Sequence, residues 1–95
     1  LMLGRWYLEC KRYGSGAEPL EAWWQQVLDA SRNKGIPALI YKFDRRPIKV
    51  KIPLGAINPS LHLESPFTAD LLWDDFIFLL KELYKEDIIE NENLE

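Results

Sequence analysis

The chain has 95 residues and a net charge of −3, and 47% of its residues are hydrophobic. This length suits one small domain, and the composition excludes intrinsic disorder. No apolar run approaches the roughly 20 residues that span a bilayer, and no leader segment indicates secretion. The single cysteine, Cys10, excludes an intramolecular disulfide and a multi-cysteine zinc site. We therefore expect a cytoplasmic protein without a membrane partner.

Charge is distributed unevenly along the chain. Residues 1–55 hold ten Lys/Arg and five Asp/Glu, whereas residues 56–95 hold two Lys/Arg and ten Asp/Glu. The two parts therefore carry net charges of +5 and −8. The basic part could face a polyanion. A basic sheet followed by an acidic, solvated helix would give the same pattern, and charge alone favours this second interpretation.

The first predicted element is a strand at about residues 4–12. Large apolar and polar side chains alternate over Trp6–Lys11 with a period of two. This alternation places Glu9 and Lys11 on one face of the strand and Cys10 on the other. The Cys10 thiol is therefore expected to point into the core as a small hydrophobic group.

A helix is predicted next, after a flexible glycine-containing loop at residues 13–16. Pro19 suits the first turn of this helix, and Gly35 just past the last turn is a stop signal. Trp23 and Trp24 are expected to pack against a sheet, because large aromatic side chains on a helix bury much apolar area.

Two further strands follow the helix. Residues 38–43 are apolar almost throughout, as expected for a strand covered on both faces. After a turn at residues 44–47, the alternation over Ile48–Ile52 predicts a third strand with one solvated, basic face. A strand, a helix and a strand in this order suggest a βαβ crossover, which is right-handed in nearly all proteins. The predicted class is α/β, with a small mixed sheet and flanking helices.

The last predicted element is a helix whose start is ambiguous. Thr68 could cap a helix that begins at Ala69, or residues 67–73 form a short strand and Asp74 caps the helix. We favour the second option slightly. It leaves a packing stripe made of Phe76, Leu79, Leu80 and Leu83.

The predicted elements belong to one domain over residues 1–90. Residues 91–95 are expected to fray, and the last two of them resemble a cloning scar. The sequence has no internal repeat and no glycine-rich motif that would cradle a phosphate.

Four short motifs stand in a fixed order in the first half of the chain. They are Glu9-Cys10-Lys11, Trp23-Trp24-Gln25-Gln26, Gly35–Lys42 and Asp44-Arg45-Arg46-Pro47. Their order and spacing resemble the PD-(D/E)XK nuclease superfamily, and most closely its small phage- and prophage-type endonucleases related to Holliday junction resolvases. The resemblance covers residues 5–54 well and residues 70–86 loosely. It implies a restriction-endonuclease-like core that lacks its first helix and strands.

The resemblance implies a role for each matching residue. Glu9 would bind a metal ion together with the backbone carbonyl of Cys10. Lys11 would orient the attacking water and stabilise charge on the phosphate, and Gln26 would assist nearby. The metal would be Mg²⁺ or Mn²⁺, and the reaction would be hydrolysis of a DNA phosphodiester, with no small-molecule substrate. Without the flanking motifs, Glu9 and Lys11 would be interpreted as an exposed ion pair.

Basic side chains in the first half offer a second kind of site. The simpler interpretation is a solvated face, and the other is a surface that tracks DNA phosphates. The residues concerned are Arg12, Lys42, Arg45, Arg46, Lys49 and Lys51.

One position departs from the family pattern. The family carries an aspartate on the strand before the glutamate, and none of the eight residues before Glu9 is Asp or Glu. Three explanations stay open: the chain is a fragment of a longer protein, the ligand comes from another chain, or the protein is a non-catalytic remnant. The alternative function is a non-catalytic prophage protein that uses the same core for DNA binding or dimerisation.

The missing strands also predict an oligomer. The strand that carries Glu9 would lack its usual neighbour, and an open strand edge invites pairing with another chain. We therefore expect a homo-oligomer, most simply a twofold dimer, formed by strand pairing or by exchange of an element. The related resolvases are dimeric, so the resemblance implies the same.

Overall fold

Five strands form one mixed sheet whose spatial order is the same as their order along the chain. The computed structural model describes residues 1–14, 16 and 21–83. The strands are β1 (Met2–Leu3), β2 (Trp6–Tyr13), β3 (Ile36–Phe43), β4 (Lys49–Pro53) and β5 (Thr68–Leu72). The helices are α1 (Glu21–Ser31), between β2 and β3, and α2 (Trp73–Leu83), after β5. A short 3₁₀ turn covers Leu54–Ala56.

The pairing of strands confirms a small α/β fold. β2 and β3 are parallel over their full lengths and are joined through α1, as predicted for a βαβ crossover. The other three neighbouring pairs are antiparallel. The predicted first turn at Pro19 and the predicted tail at residues 91–95 lie outside the described residues.

Each face of the sheet has its own apolar core. Trp24 and Val27 of α1 pack on Leu39, Tyr41 and Phe43, which alternate along β3. The opposite face buries a second cluster, made of Trp6, Leu8, Ala38, Val50, Ile52 and Phe76. Because β3 contributes to both clusters, its sequence is apolar almost throughout, as predicted. No helix in the described part of the chain is both long and apolar enough to cross a membrane.

The prediction of a solvated basic face on β4 is wrong at Lys51. Its side chain is only 17% exposed, because this face of β4 lies beside α1. The Lys51 ammonium group lies 5.9 Å from the centre of the Trp24 ring and 3.9 Å from an Asp70 carboxylate oxygen. The aliphatic part of this lysine therefore extends the apolar cluster, and its charge is matched locally.

The end of α1 depends on a residue other than the predicted glycine. Asn33 adopts the left-handed conformation, with φ of 65°. The N–H groups of Lys34 and Gly35 donate to the Ser31 carbonyl at 2.8 and 3.1 Å. Gly35 serves close packing instead, because a Cβ there would lie 2.7 Å from the Arg5 carbonyl oxygen.

The last third of the chain follows the favoured prediction of a short strand before a helix. Because α2 begins at Trp73, Asp74 lies in its first turn and is not the cap. Phe76 is fully buried, and Leu79 and Leu80 pack against the same cluster. Leu83 was predicted in this stripe, but it is 42% exposed and lies beyond the core.

The outer edge of β2 is partly covered. Met2 pairs with Tyr7 and Leu3 with Trp6, so the strand does have a short neighbour at its start. From Glu9 to Tyr13, no described strand pairs with this edge. The prediction of an open edge therefore holds for the second half of β2 and is wrong for the first.

Two phenylalanines of α2 test the packing. Phe76→Ala removes a fully buried ring that meets Trp6 edge-on at 5.2 Å, and should lower the free energy of unfolding by about 3–5 kcal/mol. Phe78 is 66% exposed, so Phe78→Ala should change it by less than about 0.5 kcal/mol. Urea unfolding followed by circular dichroism measures both. If Phe76→Ala does not fold, Phe76→Leu replaces it in the test. Phe76→Leu should lower the free energy of unfolding by less than about 1.5 kcal/mol. Equal losses at positions 76 and 78 would contradict the packing.

Candidate functional site

Glu9 and Lys11 lie on the same face of β2, the face on which α1 packs. Successive side chains of a strand point to opposite faces. The register of β2 with β3 places Glu9 beside Leu39 and Lys11 beside Tyr41, which belong to the α1-side cluster. Both residues are half-buried, and alternate residues of a strand are about 7 Å apart. The predicted placement of Glu9 and Lys11 on one face of the strand is therefore confirmed.

Glu9 is held by a tyrosine and not by Lys11. The Tyr7 hydroxyl donates a hydrogen bond to Glu9 Oε1 at 3.0 Å. The Lys34 ammonium group lies 5.6 Å from the centre of the Tyr7 ring. Among the described residues, Lys11 forms no ion pair with a carboxylate. The pair is therefore not the simple surface ion pair that these two residue types suggest in isolation.

The hydrogen bond to Glu9 raises the pKa of Tyr7 above its ordinary value of 10.0. Partial desolvation of the phenol and repulsion between the phenolate and the Glu9 carboxylate act in the same direction. The protonated phenol therefore acts as a donor that orients the Glu9 carboxylate at neutral pH.

The Cys10 carbonyl points away from the sheet, towards the outer edge of β2. Leu8 exchanges backbone hydrogen bonds with Leu1 on this edge, whereas the Tyr13 carbonyl accepts from Asp44 on the β3 side. Backbone groups of alternate residues point the same way, so Cys10 shares the direction of Leu8. Its carbonyl is thus directed to the uncovered part of the edge, beside Glu9 and Lys11.

The Cys10 side chain contradicts the prediction of a buried thiol. It lies on the α2 side of the sheet and is exposed. Because α2 packs against β4 and β5, it leaves this end of β2 uncovered. The thiol instead lines a shallow groove of about 260 Å³ whose floor includes Ile40 and Ile48.

The oxygen donors at this edge make only part of a metal site. A carboxylate and a carbonyl are ligands that Mg²⁺ accepts. The nearest carboxylate along the same row of the sheet is Asp70, three strands from Glu9 and thus about 14 Å away. Asp70 accepts a hydrogen bond from Tyr41 and pairs with Lys51. The described residues contain no group of three His, Cys, Asp or Glu side chains that could hold a metal ion.

Gln26 lies on α1, exposed to solvent. It follows Trp23 by three residues and so shares its side of the helix, and Trp23 contacts Tyr13 of β2 at 5.7 Å between ring centres. In the described part of the chain, Gln26 makes no hydrogen bond to Glu9 or Lys11. Gln26 therefore lies on the Trp23 side of α1 and stays exposed to solvent.

The basic residues collect where β2 and β3 end. Parallel strands bring their carboxyl ends to one edge, and the turn that follows β3 carries two arginines with exposed side chains. The basic end, as we name this surface, consists of Lys11, Arg12, Lys42, Arg45, Arg46 and Lys49. Arg12 lies 3.8 Å from Asp44, with both side chains largely exposed. Lys51, predicted with this group, is excluded by its burial and by Asp70.

Two tyrosines extend the site beyond the residues predicted from sequence. Tyr7 and Tyr13 continue the row of Glu9 and Lys11 in both directions along β2. Tyr13 was predicted as loop, but it ends the strand and pairs with Phe43. The period-two alternation that places Glu9 and Lys11 together would also have placed Tyr13 there, had the strand been extended by one residue.

Comparison of the chain with protein-family models, with curated protein sequences and with solved structures gives no match. The chemistry of the site therefore rests on its own geometry. That geometry is an oriented carboxylate, an ammonium group without a described carboxylate partner and an outward carbonyl. All three lie on the second half of β2, where Lys11 belongs to the basic end.

The raised pKa of Tyr7 gives a test of the Glu9 contact. Carbon-13 labelling of the tyrosine rings should show Tyr7 ionising above pH 10.0, and Glu9→Gln should lower its pKa by removing the negative acceptor. Tyr7→Phe assigns the resonance. Because the pKa of Tyr7 is raised in the folded state, its hydrogen bond to Glu9 stabilises the folded protein fully below pH 10.0. This stabilisation is lost as the pH rises through the raised pKa. An unchanged Tyr7 titration in Glu9→Gln would show that the contact does not form.

Proposed function

We propose that this chain is a nuclease-type DNA-binding domain, with Lys11 and the basic end on the DNA backbone and Glu9 facing a phosphodiester. One observation carries the proposal: Glu9, the Cys10 carbonyl and Lys11 of the basic end lie together on the half of β2 whose outer edge pairs with no described strand. The β2-α1-β3 arrangement is also the one that the resemblance to PD-(D/E)XK nucleases implies. A cytoplasmic location, with access to DNA, belongs to the same proposal.

The charge at this end suits a polyanion. Six cationic side chains lie on or beside the ends of two strands, and Asp44 is the acid paired with one of them. An exposed ion pair such as Arg12–Asp44 contributes little energy. Arg12 can therefore exchange the carboxylate for a phosphate oxygen at small cost. Binding of this kind releases counterions and weakens steeply with salt.

Hydrolysis of DNA needs more than the described residues supply. Glu9 and the Cys10 carbonyl would hold one side of a Mg²⁺ or Mn²⁺ ion, which supplies charge neutralisation at the phosphate when bound. A second carboxylate would come from outside the described residues or from a partner copy. Lys11 lies about 7 Å along the strand from Glu9 and would contribute its charge to the phosphate directly. The non-catalytic alternative keeps the same DNA contacts and omits this step.

The uncovered half of β2 also supports self-association. Its outward backbone groups can pair with a strand of a second copy, and such pairing would bring the partner's residues next to the Cys10 carbonyl and Glu9. Leu1, Met2 and Leu3, along the same edge, are each at least 46% exposed. We therefore propose a twofold dimer formed along this edge.

Binding of a short, labelled DNA duplex tests the basic end. The binding is measured by fluorescence anisotropy over a series of salt concentrations. The double variant Arg45→Gln/Arg46→Gln should weaken binding. If both side chains contact phosphates, it should also make the plot of log affinity against log salt concentration shallower, with the magnitude of its slope reduced by about 2. Lys11→Gln should reduce the magnitude of this slope by about 1. The matched control is Lys81→Gln on α2, an exposed lysine away from this end, which should behave as the wild type.

The same proteins, incubated with linear and branched DNA and Mn²⁺, separate the two versions of the function. If the chain is a nuclease, the wild type and Lys81→Gln cleave the DNA. Lys11→Ala and Glu9→Gln then do not cleave it. DNA binding without cleavage selects the non-catalytic alternative. Absence of DNA binding at low salt, or equal binding by all variants, would refute the proposed function.

Dimer formation is tested by sedimentation equilibrium at low micromolar concentration. The expected species has twice the 11.2 kDa mass of the chain. Arg12→Pro removes a backbone N–H that points to the outer edge and leaves the bonds between β2 and β3 intact, so it should give monomers. Arg12→Ala removes the side chain alone and should remain dimeric. A wild-type chain that sediments only at 11.2 kDa would contradict edge pairing.

A further inference from the structure

A row of aromatic rings runs from the centre of the sheet to its surface beside Lys11. Tyr41 and Phe43 are buried, with ring centres 6.1 Å apart. Phe43 stacks on Trp23 at 6.2 Å and an interplanar angle of 26°. Tyr13 closes the row, 5.7 Å from Trp23 and 6.4 Å from Phe43. The buried end of this row belongs to the α1-side core.

Tyr13 is both exposed and fixed. The residue is 53% exposed to solvent. Its carbonyl accepts a hydrogen bond from the backbone N–H of Asp44, which ties the end of β2 to the end of β3. Trp23 and Phe43 both contact the ring, at interplanar angles of 57° and 76°. An aromatic side chain that is already ordered loses little conformational entropy when a planar ligand stacks on it.

Charge around Tyr13 suits a nucleic-acid ligand. Lys11 is two residues earlier on the same face of β2, so its Cα lies about 7 Å from that of Tyr13. Arg45 and Arg46 follow the adjacent end of β3, and their side chains are exposed. A basic groove that holds the backbone next to an aromatic ring on which a base stacks is the usual arrangement for binding single strands.

We propose that Tyr13, supported by Trp23 and Phe43, is a stacking site for an unpaired base of DNA bound at the basic end. This inference rests on the proposed DNA-binding function and adds the kind of nucleotide that the site selects. A base inside a duplex is stacked on both faces and cannot use the Tyr13 ring. The site therefore favours single-stranded over fully paired DNA.

The test compares a labelled oligothymidine with a blunt-ended duplex at one salt concentration. The wild type should bind the single strand more tightly. Tyr13→Ala should weaken single-strand binding at least about fivefold, the low end for loss of one base–aromatic stack, and leave duplex binding nearly unchanged. Tyr13→Phe retains the ring and should bind as the wild type. Phe78→Ala, which removes an exposed aromatic ring on α2, is the matched control.

A second readout separates stacking from a change in fold or charge. An oligothymidine with one 2-aminopurine should lose fluorescence on binding the wild type and Tyr13→Phe, and lose less on binding Tyr13→Ala. Equal weakening for single strand and duplex, or a Tyr13→Phe variant as weak as Tyr13→Ala, would overturn the stacking site while leaving DNA binding intact. If the wild type binds neither DNA, the proposed function fails first.

Discussion

The parallel pairing of β2 with β3 is the constraint on which the rest of this structure depends. All eight residues of β2 pair with the eight of β3, from Trp6 with Ile36 to Tyr13 with Phe43. Parallel neighbours need a crossover connection, and α1 provides it on the face that holds Glu9 and Lys11. The same pairing brings the two carboxyl ends together and so creates the basic end. It also directs the Leu8 and Cys10 backbone groups outward.

One strand thus serves the core at its start and the candidate site at its end. Trp6 and Leu8 are buried beside α2-side residues, whereas Cys10 and Arg12, next on the same face, are exposed. The difference arises because α2 packs over β4 and β5 and does not extend to the far end of β2. Stability is concentrated where both faces are covered. The candidate site lies on the half of β2 whose α2-side residues are exposed and whose outer edge pairs with no described strand, as is common for sites held by a rigid scaffold.

The prediction of which side chains share a face is confirmed where it rested on alternation. The shared face of Glu9 and Lys11 follows from a period of two and needs no tertiary information. The same reasoning failed for Lys51, because alternation says that a face is polar and does not say whether a helix will cover it. The contact of Tyr7 with Glu9 was not predicted, although both lie on one face two residues apart. Whether such a pair meets depends on side-chain conformations that surrounding residues select.

Patterns in the sequence predict the α/β class, the order of β2, α1, β3 and β4, the doubly covered character of β3 and the concentration of positive charge before residue 56. These are local properties, encoded by periodicity and composition. Tertiary packing, in contrast, sets the exposure of Cys10, the ending of α1 by Asn33 and not by Gly35, the pairing of Lys51 with Asp70 and the contact of Tyr13 with Trp23. Each of these depends on which distant element packs against a residue. A pattern of neighbouring residues cannot specify this, because the same alternation is compatible with several arrangements of helices over the sheet.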